Sequence, residues 1–192
     1  MKRDELRQIL IDGTIHVIAV DGFDKATTKQ VCSKIGVNEA YIYRCFQGKE
    51  DMFAQTFDSL DKELFDVIMG CLDVMYMTGL AFDVRCKVFF FKLWEFLLGN
   101  KEKCVAYIRY YYSPYFMKNS ATVHKQRFWP IVEAFRDSFL EEADVWMILN
   151  HILNVMMDFA IKVHNGQMEK SNNYAEHVFR VVYTSTEQYF KK

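Results

Sequence analysis

Between Gly36 and Phe53 the chain sets Asn38, Tyr41, Tyr43, Arg44 and Lys49 close to a Gly-Val-Asn turn. Hydroxyls, a guanidinium and an ammonium are the groups that hold phosphate oxygens, and polar side chains at a helix start can meet base edges. From Lys25 to Lys49 the basic residues are Lys25, Lys29, Lys34, Arg44 and Lys49, against Glu39 alone, so five minus one gives +4. The whole chain carries a formal net charge of −1, so a near-neutral total conceals a local basic stretch suited to a polyanion. A solvated charge run on an ordinary three-helix unit would contain the same residues. The choice between the two depends on what positions them.

Other chemistry finds little support. There is no Gly-rich phosphate loop, no HExxH and no nucleophile elbow in the sequence. His16, His124, His151, His164 and His177 are scattered, and none lies close to a cysteine. The cysteines (Cys32, Cys45, Cys71, Cys86 and Cys104) are odd in number and lack metal-ligand spacing, which suggests a reduced protein with no metal or cofactor. Met1 is followed by Lys, Arg, Asp and Glu, unlike a secretory signal. The longest apolar stretch, 143–163, is interrupted by Asp144, Asn150, His151, Asn154, Asp158 and Lys162, so no run approaches the roughly 18 residues of a membrane span. A soluble, cytoplasmic, non-enzymatic protein is expected.

The 192 residues are 51% hydrophobic and 16% aromatic, with 8 Gly and 2 Pro. Few breakers and no strand-like alternation predict an all-α fold of about nine helices, near 2–20, 28–34, 39–46, 49–71, 80–98, 101–117, 120–140, 143–164 and 171–190. Gly22 suits the end of the first helix, Thr27 or Thr28 the start of the second, and Asn38 the start of the third. Pro114 should kink or end the sixth, and Pro130 should kink the seventh. Helices two and three, joined at Gly36-Val37, have helix-turn-helix proportions. If Val31, Ile35, Val37, Ile42 and Phe46 point inward, with Cys32 at the close crossing, then Glu39, Ala40, Tyr43 and Arg44 point outward. Asn38 and Tyr41 lie at the rim.

The run "GFDKATTKQVCSKIGVNEAYIYRCFQGKEDMF" resembles the N-terminal domain of the TetR family of transcriptional regulators. The matching features are a Gly-aromatic pair after the first helix, a Thr pair opening the second, Gly-Val at the turn, and an x-Tyr-x-x-Phe-x-x-Lys-Glu end, over residues 6–57. The resemblance implies phosphate contacts from Thr28, Lys29, Tyr43 and Lys49, base-facing positions for Glu39, Ala40 and Tyr41, and Arg44 on the flanking backbone. It also implies a DNA-binding domain over 1–48 and a ligand-binding and dimerisation domain over 49–192. Two positions depart from the pattern. Gly13 stands where the family usually has Ala, which should weaken the first helix by up to about 1 kcal/mol. Glu39 stands where a neutral or basic residue is commoner. Its carboxylate either accepts from a donor such as the cytosine amino group or serves as a first-turn helix charge.

The C-terminal part carries most of the aromatic residues. Each aromatic taken singly can be core. As a group, Phe90, Trp94, Tyr107, Tyr111, Tyr115, Phe128 and Trp129 fit a largely apolar cavity. The resemblance implies a small-molecule inducer there, partly aromatic or apolar. Asn150, Asn154, Asp158 and Lys162 form a polar line with His151 alongside; it either fixes dimer register or stays in solvent, or it lends His151, Asn154 and Asp158 to the ligand. On the last helix Ala175, Val178, Phe179, Val182, Tyr183 and Thr186 form an apolar stripe, and Val155 and Phe159 do so on the helix before. These predict a homodimer interface, with packing into their own core as the alternative. The expected function is a dimeric, ligand-responsive repressor on a palindromic double-stranded operator. The rival is a regulator of the same fold controlled by a protein partner.

Overall fold

The computed structural model describes residues 2–191. They form ten α-helices with short 3-10 turns, in two compact units. Residues 2–63 and 102–126 make the first unit, and residues 64–101 and those from Arg127 onward make the second. Among the described residues no helix is long and apolar enough to cross a membrane.

In the first unit α1 (Arg3–Asp21) is the central element. Leu6, Leu10, Ile11, Ile15, Val17 and Ile18 are all buried, so α1 is apolar around more than half its circumference. Helices α2 (Thr28–Ile35) and α3 (Ile42–Cys45) pack on it. At Gly13 the approach is close: an added Cβ would sit 2.6 Å from Ile35 Cγ2. The Gly13 departure is therefore a packing requirement as well as a helix weakness. Gly22, at φ 97°, turns the chain out of α1, and Phe23 folds back onto Phe53 (4.8 Å between ring centres) and Tyr115 (5.5 Å). The first part of α4 (Lys49–Cys71), α6 (Lys101–Tyr111) and α7 (Pro114–Asn119) complete the unit around Phe57, whose ring stacks on Tyr110 at 4.6 Å. Pro114 ends the expected 101–117 helix and opens a new one, where its missing N–H costs nothing.

In the second unit the end of α4 leads through a 3-10 turn (Leu72–Tyr76) into α5 (Phe82–Gly99). Most of α8 (Ala121–Arg136), then α9 (Val145–His164) and α10 (Asn172–Thr186) follow, with α5, α9 and α10 in mutual contact. Asp144 caps α9 by accepting from Met147 N at 3.0 Å, and Ser171 caps α10 by accepting from Tyr174 N at 3.2 Å. Pro130 sits inside α8.

Two predicted helices are shorter than expected. The one predicted at 120–140 ends at Arg136, and the one at 171–190 ends at Thr186 before a 3-10 turn, Glu187–Tyr189. The reason is a pairing between the two freed segments: Phe139 forms an antiparallel bridge with Phe190, Leu140 N donates to Tyr189 O (2.8 Å), and Lys191 N donates to Ser138 O (3.0 Å).

Much of the apolar stripe expected at a dimer contact on α10 packs within its own chain. Ala175, Val178, Val182 and Thr186 are buried within their own chain, and the Phe179 ring lies 5.4 Å from Phe90. Tyr183, Val155 and Phe159 are half-buried. The apolar side of α10 is thus used intramolecularly against α5 and α9. The exposed side carries Val181 (50% exposed) and, on α9, Met147 (54%), His151 and Asp158.

Candidate nucleic-acid interface

The helix-turn-helix is built from local signals. Thr27 Oγ1 accepts from Gln30 N at 3.1 Å and starts α2. Gly36 ends it at φ 70°, a left-handed conformation that glycine adopts without strain, and the Val37 N–H reaches back to Cys32 O at 3.0 Å. Asn38 Oδ1 then accepts from Ala40 N at 2.8 Å and opens a 3-10 turn, Glu39–Tyr41, that leads into α3. The expected helix over 39–46 is therefore a 3-10 start and a single α turn. Val31, Cys32, Ile42 and Phe46 are buried, and Ile35 and Val37 half-buried, as the inward set requires.

On the outer side Lys29, Asn38, Ala40, Tyr43 and Arg44 are exposed, Tyr43 at 66%. Tyr41 is half-buried, with the Arg44 guanidinium carbon 5.2 Å from its ring centre. Lys49, half-buried, has its ammonium 5.2 Å from the Phe53 ring centre, a cation–π contact that holds the charged end beside the start of α4. Lys34 is drawn towards Asp21 (3.9 Å), so it is the basic residue of this stretch least available to a ligand. At the first turn of α2 the Thr28 and Lys29 N–H groups lie outside the intrahelical ladder, a geometry that suits a phosphate. The Thr28 hydroxyl donates to the Glu39 carboxylate. Glu39 thus ties the start of α2 to the start of the next element, a role that neither sequence alternative included.

Two features of the first unit escaped the sequence reading. Arg109 on α6 donates to Ile18 O (2.5 Å) and Ala19 O (3.2 Å), placing a cation on the C-terminal carbonyls of α1. Asp61 is fully buried; its Oδ1 accepts from His124 Nδ1 at 2.7 Å and from the Tyr107 hydroxyl at 3.2 Å. Asp61 falls four residues after Phe57, on a face otherwise apolar, and that was the available signal. Its partners lie 46 and 63 residues away, beyond the reach of any local pattern.

The expected ligand residues are not gathered in one place. Tyr107, Tyr111 and Tyr115 belong to the first unit, where Tyr107 and Tyr111 stack at 6.1 Å and Tyr111 meets Phe116 at 4.4 Å. The second unit holds two adjoining apolar cavities, of about 50 and about 70 Å³, which share Phe89, Phe135, Leu149 and Ile152. Phe128 lines the first and Phe90 the second, while Trp94 stacks on Phe90 at 5.7 Å. His151, Asn154, Asp158 and Trp129 line neither. His151 and Asp158 point outward, Asn154 is half-buried, and Trp129 is 42% exposed. His151 Nε2 meets Ser185 Oγ at 3.2 Å, and Asp158 accepts from Lys162 Nζ at 2.6 Å. His151 and Asp158 therefore lie on the outer side of α9, whereas Asn150, at the start of the polar line, borders the first cavity.

A helical head with this turn geometry is a helix-turn-helix, the arrangement that sets a helix into the major groove of DNA. Residues 10–56 match the model of the family described as bacterial regulatory proteins, tetR family. This match places a DNA-binding head of the TetR type at residues 10–56, about a quarter of the chain. Its fold agrees throughout. A TetR family transcription regulator from Marinobacter aquaeolei VT8 superposes with a TM-score of 0.78 at 14% identity, covering 94% of this chain and 95% of that one. A TetR family regulator from Shewanella sp. PV-4 gives 0.74 at 15% identity, covering 94% and 97%. At these identities the likeness is one of fold. The nucleoid occlusion factor SlmA of Pasteurella multocida (strain Pm70) is 32% identical over 62 residues, which is 32% of this chain and 31% of that protein's length.

Proposed function

We propose that the chain is a homodimeric, ligand-responsive repressor, with residues 1–48 reading a palindromic operator and residues 49–192 binding the ligand and pairing the subunits. The observation that carries this reading is the exposed set Lys29, Asn38, Ala40, Tyr43 and Arg44 on one side of a helix-turn-helix whose other side is buried. Two such heads, about 34–36 Å apart, would meet successive major grooves. Lys29, Tyr43, Lys49 and the first-turn N–H groups of α2 hold phosphates, Arg44 holds the flanking backbone, and Asn38, Ala40 and Tyr41 face the bases. Glu39 and Thr28 act chiefly through each other. The Arg109 grip on α1 supports coupling, because a shift of α6 would pull on the head's central helix. A ligand moves that equilibrium only by its differential affinity for the two conformers.

The pairing surface on this reading is the outer side of α9 and α10, with Met147, His151, Asn154, Val155, Asp158 and Val181. His151 and Asp158 would give register to an otherwise apolar contact, since a mismatched polar group costs more than a misplaced methyl. A second reading, control by a protein partner, is favoured by the small size of the two apolar cavities, about 50 and 70 Å³, since the roomier hollow beside Trp94, Glu95 and Lys170, about 350 Å³, is more open to solvent. Drug-sized ligands occupy roughly 300–1,000 Å³. Release of DNA by a partner, and by no small molecule, would select it.

Selection of bound DNA from a random pool supplies the operator, and two variants then test the roles. Tyr43→Phe and Lys49→Ala should weaken binding to every sequence alike, because phosphate contacts carry no base information. Lys49→Ala should also reduce the slope of log affinity against log salt by about one. A changed operator preference with intact overall affinity would refute the assignment.

A further inference from the structure

The larger of the two adjoining apolar cavities is bounded by aromatic rings, among them Phe82, Phe89, Phe139, Tyr183 and Phe190. None of its lining residues carries a charge; the polar groups are the Tyr183 and Thr186 hydroxyls and the Cys86 thiol. Thr186 Oγ1 is already directed to Val182 O and Tyr183 O, at 3.1 Å each. Burial holds the Cys86 thiol at about 12, so it stays neutral. An ion entering this space would lose its hydration and find no counter-charge. The ligand chemistry is therefore that of an uncharged, apolar molecule.

Size then becomes the difficulty. An apolar cavity of about 150 Å³ holds benzene, and this one measures about 70 Å³. The missing room is occupied by a side chain of the protein itself. The Phe190 ring lies 5.0 Å from Phe82 and 5.0 Å from Phe139, both edge-to-face, and 5.6 Å from Tyr183 at a tilt, separations that a bound aromatic ring would adopt. Phe190 is not part of a helix. It follows the 3-10 turn Glu187–Tyr189, and the segment is tied down by the two backbone bonds to Ser138 and Leu140.

Resting on the ligand-responsive reading, we propose that Phe190 is a placeholder for the ligand. An uncharged aromatic molecule takes its position among Phe82, Phe139 and Tyr183, and the strap Glu187–Lys191 is displaced. Occupancy is thereby converted into release of a backbone pairing, a change larger than the filling of a rigid pocket.

Toluene, with benzoate as its charged counterpart, tests this on the full chain by calorimetry. Phe190→Ala should bind toluene at least tenfold tighter than the parent, since no ring has to leave, and benzoate should bind neither protein. Equal or weaker toluene binding by Phe190→Ala overturns the proposal, as does benzoate binding as well as toluene. Should the variant fail to fold, 4-fluorophenylalanine at position 190 of the otherwise unchanged chain gives a second measurement. Its 19F resonance should move to the solvent-exposed position on saturation with toluene. Bound toluene with an unmoved resonance, or no binding at all, overturns the proposal. Operator release is scored separately: release by toluene with the resonance unmoved would keep the ligand-responsive reading and remove the placeholder. Displacement of Phe190 without any effect on DNA would do the reverse.

Discussion

The Thr28 hydroxyl and the Glu39 carboxylate join the two recognition elements, so substitution at either position is felt by both. Such pairings are set by residues eleven apart across a turn. The caps at Thr27 and Asn38 could be read from the sequence because each acts within three residues. The Glu39 pairing could not, because two roles suited the same carboxylate. The cysteines make a prediction at this scale. Burial raises the Cys86 and Cys104 thiols from the ordinary 9.0 to about 12 each. In the folded state both hold their protons more tightly than in the unfolded chain. The associated stability is thus fully present below pH 9 and is lost as pH rises towards 12. Urea midpoints of the parent should fall more steeply between pH 9 and 11 than those of a Cys86→Ala/Cys104→Ala variant, by at most about 1.4 kcal/mol per pH unit per thiol. Parallel profiles would show that the thiols do not contribute.

Among the elements, α1 governs the head. Its Gly13 faces Ile35, whose Cγ2 is branched at Cβ and cannot swing aside without a new rotamer. Gly13→Ala would gain up to about 1 kcal/mol of helix propensity and lose about 1–3 kcal/mol to overpacking. The expected result is a less stable head, seen as a lower melting temperature together with weaker DNA binding; a stabilised protein would show that Ile35 yields freely. Helix boundaries were legible where a capping residue or a breaker marks them, as at Gly22, Thr27, Gly36 and Asn38. They were misjudged after Arg136 and Thr186. There the helices give way to the Phe139–Phe190 pairing, and no local signal announces a partner about fifty residues away in the chain.

For the whole molecule, the sequence announced apolar stripes without saying what each would meet. The α10 stripe was legible as buried, but burial inside one chain and burial between two leave the same pattern, and much of the stripe packs within its own chain. Two substitutions separate these cases. Val182 is 5% exposed in its own chain, so Val182→Asp places an unpaired carboxylate in the core and should unfold the second unit, at a cost of several kcal/mol. Val181 is 50% exposed, so Val181→Asp should leave the fold intact, within about 0.5 kcal/mol, yet shift sedimentation from dimer to monomer and weaken operator binding. A dimeric Val181→Asp protein with full affinity would move the pairing surface elsewhere.

The first unit is assembled from two stretches that are far apart in the chain, 2–63 and 102–126. Arg109 and His124 therefore serve elements encoded long before them, Ile18 and Asp61 among them. A head of this kind cannot be transplanted by joining genes at a single point. A chimera carrying another protein's residues up to the middle of α4 would inherit a foreign α1 beneath a native Arg109, and a foreign partner for the native His124. Exchange of DNA specificity between such regulators should thus succeed through point changes on the exposed side of α3, or through exchange of both stretches together. Single-crossover hybrids should yield proteins that fold poorly.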